Sequence, residues 1–333
     1  MTLQQLKYLL GVVDSGLNIT AAAERLYTSQ PGISKQLKLL EQELGVPLFT
    51  RRGKSLAAIA PAGHDVIARA RNILRETQNI RSLARDLSGE QQGTLCIATT
   101  HTQARYVLPE VIRTFRECYP KVTLELHQGT SEQIAELVAN NQVDFAIATG
   151  SQALFPGLVL MPCYHWDRII VVPNDHELAQ LDQDLDLDQL AQHPLVTYVF
   201  SLTGQSSFKK AFADAGLTTN VVFTARDADI IKTYVRTGLG VGVIAGMAFD
   251  SHDTGDLVAI NAEHLFPQQT TWIGFSRDTV LRQYMLDFAE LFAPHLTTER
   301  MRDVAELEYQ EEVDALFETL VLPTREALVY ADT

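Results

Sequence analysis

The sequence has 333 residues, 46% hydrophobic and 20% charged, with a formal net charge of −14. That length exceeds what one small core organises and predicts two or three units. The composition excludes intrinsic disorder, and the absence of any apolar run of about eighteen residues excludes a membrane-spanning helix. The charge is uneven: residues 1–90 carry twelve basic and eight acidic side chains, and the remainder carries fifteen and thirty-three. A basic head on an acidic body favours polyanion binding at one end only. The start, Met1-Thr2-Leu3-Gln4-Gln5-Leu6-Lys7, does not read as a signal peptide. The three cysteines, Cys96, Cys118 and Cys163, form no C-x-x-C pair and fit a reducing cytoplasm, with none expected to react.

The first elements are two short helices. Thr20 to Leu26 is Ala-rich, with Ala22 and Leu26 on one face and Thr20 capping or opening it. Tyr27 to Ser29 make the turn, Ser29 or Gln30 caps the next helix, and Pro31 sits where a first turn tolerates proline. Ile33, Leu37, Leu40 and Leu44 then recur at spacings of four, three and four, giving one buried stripe. Thr28, Ser29, Gln30 and Pro31 lie at the turn and helix start, and Ser34, Lys35 and Lys38 lie off the stripe. This describes a helix-turn-helix whose second helix enters the major groove of double-stranded DNA. Val46-Pro47-Leu48-Phe49 can close the core. Arg51, Arg52 and Lys54 about Gly53 read as a hairpin wing that grips phosphate or minor groove. Residue by residue, the alternative is two packed helices and a solvated basic turn.

The ordered string Ala21-Ala22-Ala23-Glu24-Arg25-Leu26-Tyr27-Thr28-Ser29-Gln30-Pro31-Gly32-Ile33-Ser34-Lys35-Gln36-Leu37, followed by Leu39-Leu40-Glu41 and Phe49-x-Arg51, resembles the LysR-type transcriptional regulators. The likeness extends over nearly the whole chain. It implies a winged helix-turn-helix over 1–60, a linker helix over 61–90, a two-lobed effector domain over 91–296 and a helical extension over 297–333.

Pro61 can begin a helix in which Val66, Ala70, Ile73, Thr77, Ile80, Ala84 and Leu87 repeat four-three-four-three, an a/d seam of about three heptads. Such a seam calls for a partner helix; the alternative is one amphipathic helix lying on its own domain. The resemblance implies an antiparallel dimer through this helix, extended to a tetramer. Ser88-Gly89 and Gly93 read as the hinge.

Beyond it, strand-like runs at 94–99, 122–127, 144–148, 169–172, 195–199, 221–224, 241–245 and 272–275 alternate with helical stretches at 105–117, 131–140, 206–215, 227–237 and 280–292. The alternation predicts parallel sheets, and eight short strands suggest two small sheets flanking a cleft, as in periplasmic-binding-type α/β domains. The resemblance places lobe I at about 93–165 and 268–296, with lobe II at about 166–267. Thr99-Thr100-His101-Thr102-Gln103-Ala104-Arg105 puts hydroxyls and amides at a strand end and helix start, where free N–H groups attract small anions. Thr149 and Ser201-Leu202-Thr203 end other strands in the same way. The alternative is that each merely caps a helix. Arg105 is the one nearby cation, so a site of neutral donors is expected.

The strings Thr99–Tyr106, Asp144–Thr149, Pro162–Trp166 and Asp229–Arg236 are similar to the cysteine-regulon branch of the family. That similarity implies ligand contacts from Thr100, Thr102, Gln103, Thr149, Trp166 and Thr203. It implies acetylated serine as inducer and sulfate or thiosulfate as opposing or alternative anions, with promoter DNA and RNA polymerase as partners. Two departures are Gln205, where Arg is expected after Thr-Gly, and a longer acidic loop before Leu187.

Gly238-Leu239-Gly240-Val241-Gly242 lacks dinucleotide-loop spacing and runs from helix to strand, so it reads as a turn. The nine histidines show no metal-ligand spacing, His165 and His176 reading as structural or surface groups. No nucleophile motif occurs either. No catalytic residue, metal or cofactor is therefore expected. A solute-binding protein would share the body but carry an export signal in place of the basic head. A sulfur-metabolic transferase would need a nucleophile, an acid–base pair or a cofactor loop.

Overall fold

The computed structural model describes residues 1–333 apart from 54, 88–91, 141, 151, 182, 203–205 and 326–333, with side chains except at 78 and 81–87. The chain divides into two units, Met1–Glu90 and Gln91–Thr333.

The first unit contains α1 (Leu3–Asp14), α2 (Ile19–Arg25), α3 (Gln30–Leu44), the strands β1 (Phe49–Arg52) and β2 (Ser55–Ile59), and α4 (Pro61–Leu87). Asn18, not Thr20, caps α2: its side-chain oxygen accepts from the N–H groups of Thr20 and Ala21 at 3.0 and 3.1 Å. An Asx side chain two residues earlier reaches the free amides of the first turn, which leaves Thr20 inside the helix. Ser29 caps α3 by accepting from Gly32 N–H, and Gly45, at φ +70°, ends it. Ile33, Leu37 and Leu40 are buried as the stripe requires, with Leu44 packed at its edge. β1 and β2 form the expected antiparallel hairpin, with Phe49 opposite Ile59.

Helix α4 begins at Pro61 and at first serves its own unit. A side chain at Gly63 would place Cβ 2.2 Å from the Leu48 carbonyl oxygen, so only glycine permits this approach. Ile67 and Ala70 enter the core of the unit, Val66 and Leu74 pack against it, and Arg71 pairs with Asp14 at 2.7 Å. Of the expected seam, Ala70 is buried in the head core beside Ile67 and Val66 packs at its edge, so over the first turns these positions are covered by the helix's own unit. Ile73 and Ile80, at 38% and 62% exposure, remain outward. The side chains of Ala84 and Leu87, and residues Ser88 and Gly89 of the expected hinge, lie outside the described residues. Gly93 is not hinge but the first residue of a strand.

In the second unit, lobe I opens with β3 (Gly93–Thr99), α5 (His101–Tyr106), α6 (Leu108–Cys118), β4 (Val122–Gln128), α7 (Ser131–Ala139), β5 (Phe145–Thr149) and β6 (Leu158–Trp166). Lobe II holds β7 (Arg168–Pro173), α8 (Leu187–Ala191), β8 (Pro194–Tyr198), α9 (Ser207–Asp214), β9 (Asn220–Ala225), α10 (Ala228–Arg236), β10 (Val241–Ala245) and β11 (Leu257–Asn261). The chain returns to lobe I through β12 (Gln269–Ser276) and α11 (Gln283–Phe292), and ends in α12 (Thr298–Glu306), α13 (Gln310–Phe317) and β13 (Thr324–Arg325). The sheet orders are β13-β6-β12-β5-β3-β4 and β11-β7-β10-β8-β9.

The sheets are mixed, which corrects the expectation of parallel ones: β12 is antiparallel to β5 and β6, and β7 is antiparallel to β10 and β11. These are the strands on which the chain changes lobe, and they have no helical crossover to enforce parallel pairing. β6 and β11 were not anticipated. Pro162 argues against a strand, but the register against β12 shifts beside it, between Thr271 and Trp272, so the lost donor falls at a bulge. The single helix expected over 105–117 is two, α5 and α6, with Pro109 in the first turn of the second. The C-terminal extension packs on lobe I through Met301, Val304, Val313 and Phe317, and β13 adds a parallel edge strand beside β6. Among the described residues no helix is long and apolar enough to cross a membrane.

Ile67→Ala should cost about 2–4 kcal/mol in chemical denaturation because it opens a cavity in the head core, whereas Ile73→Ala, on the outward face, should cost less than about 1 kcal/mol. Equal losses would show that α4 does not pack as described.

Candidate functional sites: a polar cleft and a basic winged helix

The parallel strands of both lobes end at the crevice where the chain crosses between them, the usual position of a ligand in open α/β sheets. Lobe I brings Thr99 and Thr100 at the end of β3, Thr102 and Gln103 on α5, Thr149 at the end of β5 and Trp166 at the end of β6. Thr100 precedes α5 in extended conformation, and its hydroxyl makes no capping bond. Thr102 lies by the Tyr198 hydroxyl of lobe II. Gln103 is 1% exposed and committed on both sides: Nε2 donates to Thr271 Oγ1 at 3.2 Å, and Oε1 accepts from the Tyr164 hydroxyl. Thr271 Oγ1 in turn lies 3.2 Å from Thr149 Oγ1. Five of the six expected ligand positions thus gather at one edge; the sixth, Thr203, lies outside the described residues, as does Gln205. The network reaches the C-terminal extension, because the Arg325 guanidinium lies 4.7 Å from the Tyr164 ring centroid.

The expectation that Arg105 is the one cation near the cleft is corrected. Arg168, the first residue of β7, is 3% exposed and lies beside Trp166 and the end of β8. It falls just outside the strand expected at 169–172; the available signal was a charge heading the run Ile169-Ile170-Val171-Val172. Arg105 instead joins the lobes at their rim, its Nε 2.9 Å from Asp229 Oδ2. Tyr106 donates to the same carboxylate at 2.7 Å, and Lys232 Nζ donates to Tyr106, to Asp253 and to the Ala248 carbonyl. Burial opposes charge on Asp229, but the Tyr106 hydrogen bond and the Lys232 and Arg105 charges outweigh it and hold the carboxyl below its usual range. Nearby, His101 has its ligand atom within 4.8 Å of those of Asp227 and Asp229. Asp227 already accepts from Ile230 N–H, and Asp229 from Arg105 and Tyr106, so this group is part of the contact between lobes.

In the head, Ser29, Gln30, Pro31, Lys35 and Lys38 are exposed and Thr28 and Ser34 half-buried, all around the start and outward face of α3. Arg51 and Arg52 stand exposed on β1; Lys54 lies outside the described residues. Arg51 is not free, because its guanidinium pairs at 3.0 Å with Glu41 of α3, which also accepts from the N–H groups of Leu48 and Phe49. That pair fixes the wing to the recognition helix. Tyr27, in the turn, adopts φ +50° and is 98% exposed, so the turn holds its ring in solvent beside Thr28, a feature that its place in the turn does not announce.

Two family models match. Residues 3–64 match the bacterial regulatory helix-turn-helix protein of the lysR family, and residues 88–297 match the LysR substrate binding domain. The chain belongs to the LysR family. The HTH-type transcriptional regulator CysB of Haemophilus influenzae is 48% identical over 325 residues, covering 98% of this chain and 100% of that protein. The regulator Cbl of Escherichia coli is 40% identical over 314 residues, 94% of this chain and 99% of that one. The solved cofactor-binding domain of a Cbl regulator superposes with a TM-score of 0.61 at 43% identity, covering 65% of this chain and 95% of the domain. A full-length OxyR variant from Pseudomonas aeruginosa, at 24% identity and a TM-score of 0.67, shares the fold. This LysR-type chain is a DNA-binding transcriptional regulator and not an enzyme.

The regulator's cysteines are all free. Burial raises the Cys163 thiol above its ordinary range and, with the Asp144 and Glu125 charges, raises Cys96 to about 12, so neither is a thiolate at neutral pH. Thr271→Val keeps the shape of the cleft floor while stranding the Gln103 amide. It should cost about 1–3 kcal/mol in chemical denaturation, and an unchanged stability would show that the Gln103–Thr271 bond is not made.

Proposed function

We propose that this LysR-type regulator controls genes of sulfur assimilation and cysteine biosynthesis, and that an acetylserine or a sulfate- or thiosulfate-like anion in the cleft sets its activity. The observation that carries the reading is the gathering of Thr100, Thr102, Gln103, Thr149 and Trp166 at the strand ends between the lobes. The similarity to CysB and Cbl, and to a domain described as cofactor-binding, supports the same reading. Hydroxyl and amide donors suit oxyanions and carboxylates, whose oxygens accept hydrogen bonds from them. α5 has only six residues, so its dipole adds little and side chains must do most of the binding.

On DNA, Ser34, Lys35 and Lys38 with Thr28–Pro31 face the major groove, and Arg51, Arg52 and Lys54 hold the backbone beside it. The outward Ile73 and Ile80 of α4 pair with a second copy, and contacts between effector domains extend that dimer to a tetramer that works with RNA polymerase. Ile80→Asp would leave a charge in an apolar seam, so the variant should sediment at lower mass; an unchanged mass would remove α4 from the interface.

Arg52→Ala should weaken binding to all DNA sequences alike and lower the salt slope by about one, as loss of a phosphate contact does. A slope equal to the parent's takes Arg52 off the DNA. For the cleft, Thr100→Val should weaken acetylserine and sulfate by about 1–2 kcal/mol, roughly five- to thirtyfold, in calorimetric titration. Gel shifts without ligand should stay as in the parent. Equal affinities for both ligands in variant and parent would refute this placement of the site.

A further inference from the structure

Arg168 is 3% exposed, and among the described residues no carboxylate pairs with it. The neighbouring acid, Asp167, turns away: its carboxylate accepts from Gln268 at 3.0 Å. Among the described residues, Arg168 Nη1 reaches Ser201 Oγ at 3.5 Å and its Nε has no hydrogen-bond partner. Its guanidinium carbon lies 5.9 Å from the Trp166 ring centroid and 6.0 Å from that of Phe208, so aromatic faces supply what stabilisation it has. Burial lowers its pKa to about 10, which still leaves it charged at neutral pH.

A buried charge without a partner is among the costliest things a fold can hold, and apolar replacements of buried charges are often neutral or stabilising. The indole N–H of Trp166, whose ring lies against the guanidinium, is buried without a partner among the described residues, and so are Ser207 Oγ at the start of α9 and Thr99 Oγ1 at the end of β3. Trp166 is 4% and Thr99 0% exposed. Unpaired cation and unpaired donors stand where strand ends of both lobes meet, which is where a ligand is expected.

We propose that Arg168 is the charge-selecting residue of the cleft, a buried guanidinium kept without a protein counter-ion so that a small oxyanion supplies one. This rests on the reading of the cleft as the effector site, and it says why that site takes anions. The neutral hydroxyls and amides define shape and direction; Arg168 supplies the field that separates an oxyanion from a neutral solute of equal size. With the dielectric around it low, that field is weakly screened.

The test uses the full chain and two variants, R168M and R168K, with sulfate as the anionic probe and dimethyl sulfone as its neutral counterpart of similar size. R168M should bind sulfate on the order of ten- to a hundredfold more weakly, as loss of a charged hydrogen-bonding group does. It should lose the parent's preference for sulfate over dimethyl sulfone. R168K, which keeps the charge but not the planar fork, should retain part of both. Without ligand, R168M should unfold at the same temperature as the parent or higher, the opposite of what a structural strut would show. Sulfate affinity equal to the parent's in R168M, or a lowered midpoint in both variants, would overturn the inference. A parent chain without affinity for sulfate would overturn it together with the effector reading, whereas equal binding by parent and R168M overturns it alone.

Discussion

The second unit is organised by the way its chain crosses between sheets. It leaves lobe I at Trp166, enters lobe II at Arg168, and returns at Gln269. The crossings are tied together, since the Asp167 carbonyl accepts from Gly246 N–H at 2.8 Å and its carboxylate accepts from Gln268. With both crossings at one edge, the carboxyl ends of β3, β5, β8 and β10 face the same crevice, and each hydroxyl or amide that follows those strands is delivered to it. The strands that make the crossings are the antiparallel members of each sheet, so the topology that forms the cleft also sets the mixed pairing.

Two kinds of charge border this crevice, and they behave differently. At the rim, Arg105, Tyr106, Asp229 and Lys232 form a linked set between α5 and α10, and the Arg105–Asp229 pair is largely solvated. Such a pair contributes little stability and weakens with salt. Lys232 and Asp253 behind it are buried and satisfied by each other and by the Ala248 carbonyl, a rigid backing for α10. Arg168 is buried and, among the described residues, has no carboxylate partner. The fold tolerates it through aromatic packing and a large apolar surround, a local cost that makes sense only if the position does something else.

The head follows from a different constraint. A helix-turn-helix alone buries few side chains, and here α4 completes the core by laying Ile67 and Ala70 on it. One helix therefore serves as structural wall over its first turns and presents an apolar edge at Ile73 and Ile80 afterwards. The Glu41–Arg51 pair acts similarly, fixing the wing against α3 through a carboxylate that also binds two backbone amides. A wing held this way has little conformational freedom left to lose.

The helix-turn-helix was legible because its signals are local: a four-three-four stripe, a serine cap and a proline in the first turn specify α3 whatever surrounds it. The lobed body, the crossing near Trp166 and the polar strand ends at Thr99–Gln103 and Thr149 could also be read, since strand-to-helix transitions are written in neighbouring residues. Which stripe of α4 meets its own head could not be read locally: Ile67 and Ala70 are buried there because the other helices of the unit approach them, and helical periodicity does not say which stripe is approached. β6 escaped because Pro162 is tolerated only opposite a bulge formed by β12, more than a hundred residues away in sequence. Gln103 was legible as a polar residue at a helix start, but not as one whose amide is held by Tyr164 and Thr271. Arg168 was the largest omission. Sequence shows that an arginine opens an apolar strand; only the tertiary fold determines which acids are near enough to neutralise it. Burial and charge pairing are sums over the whole surround, whereas helix caps and hydrophobic periods depend on a few adjacent residues.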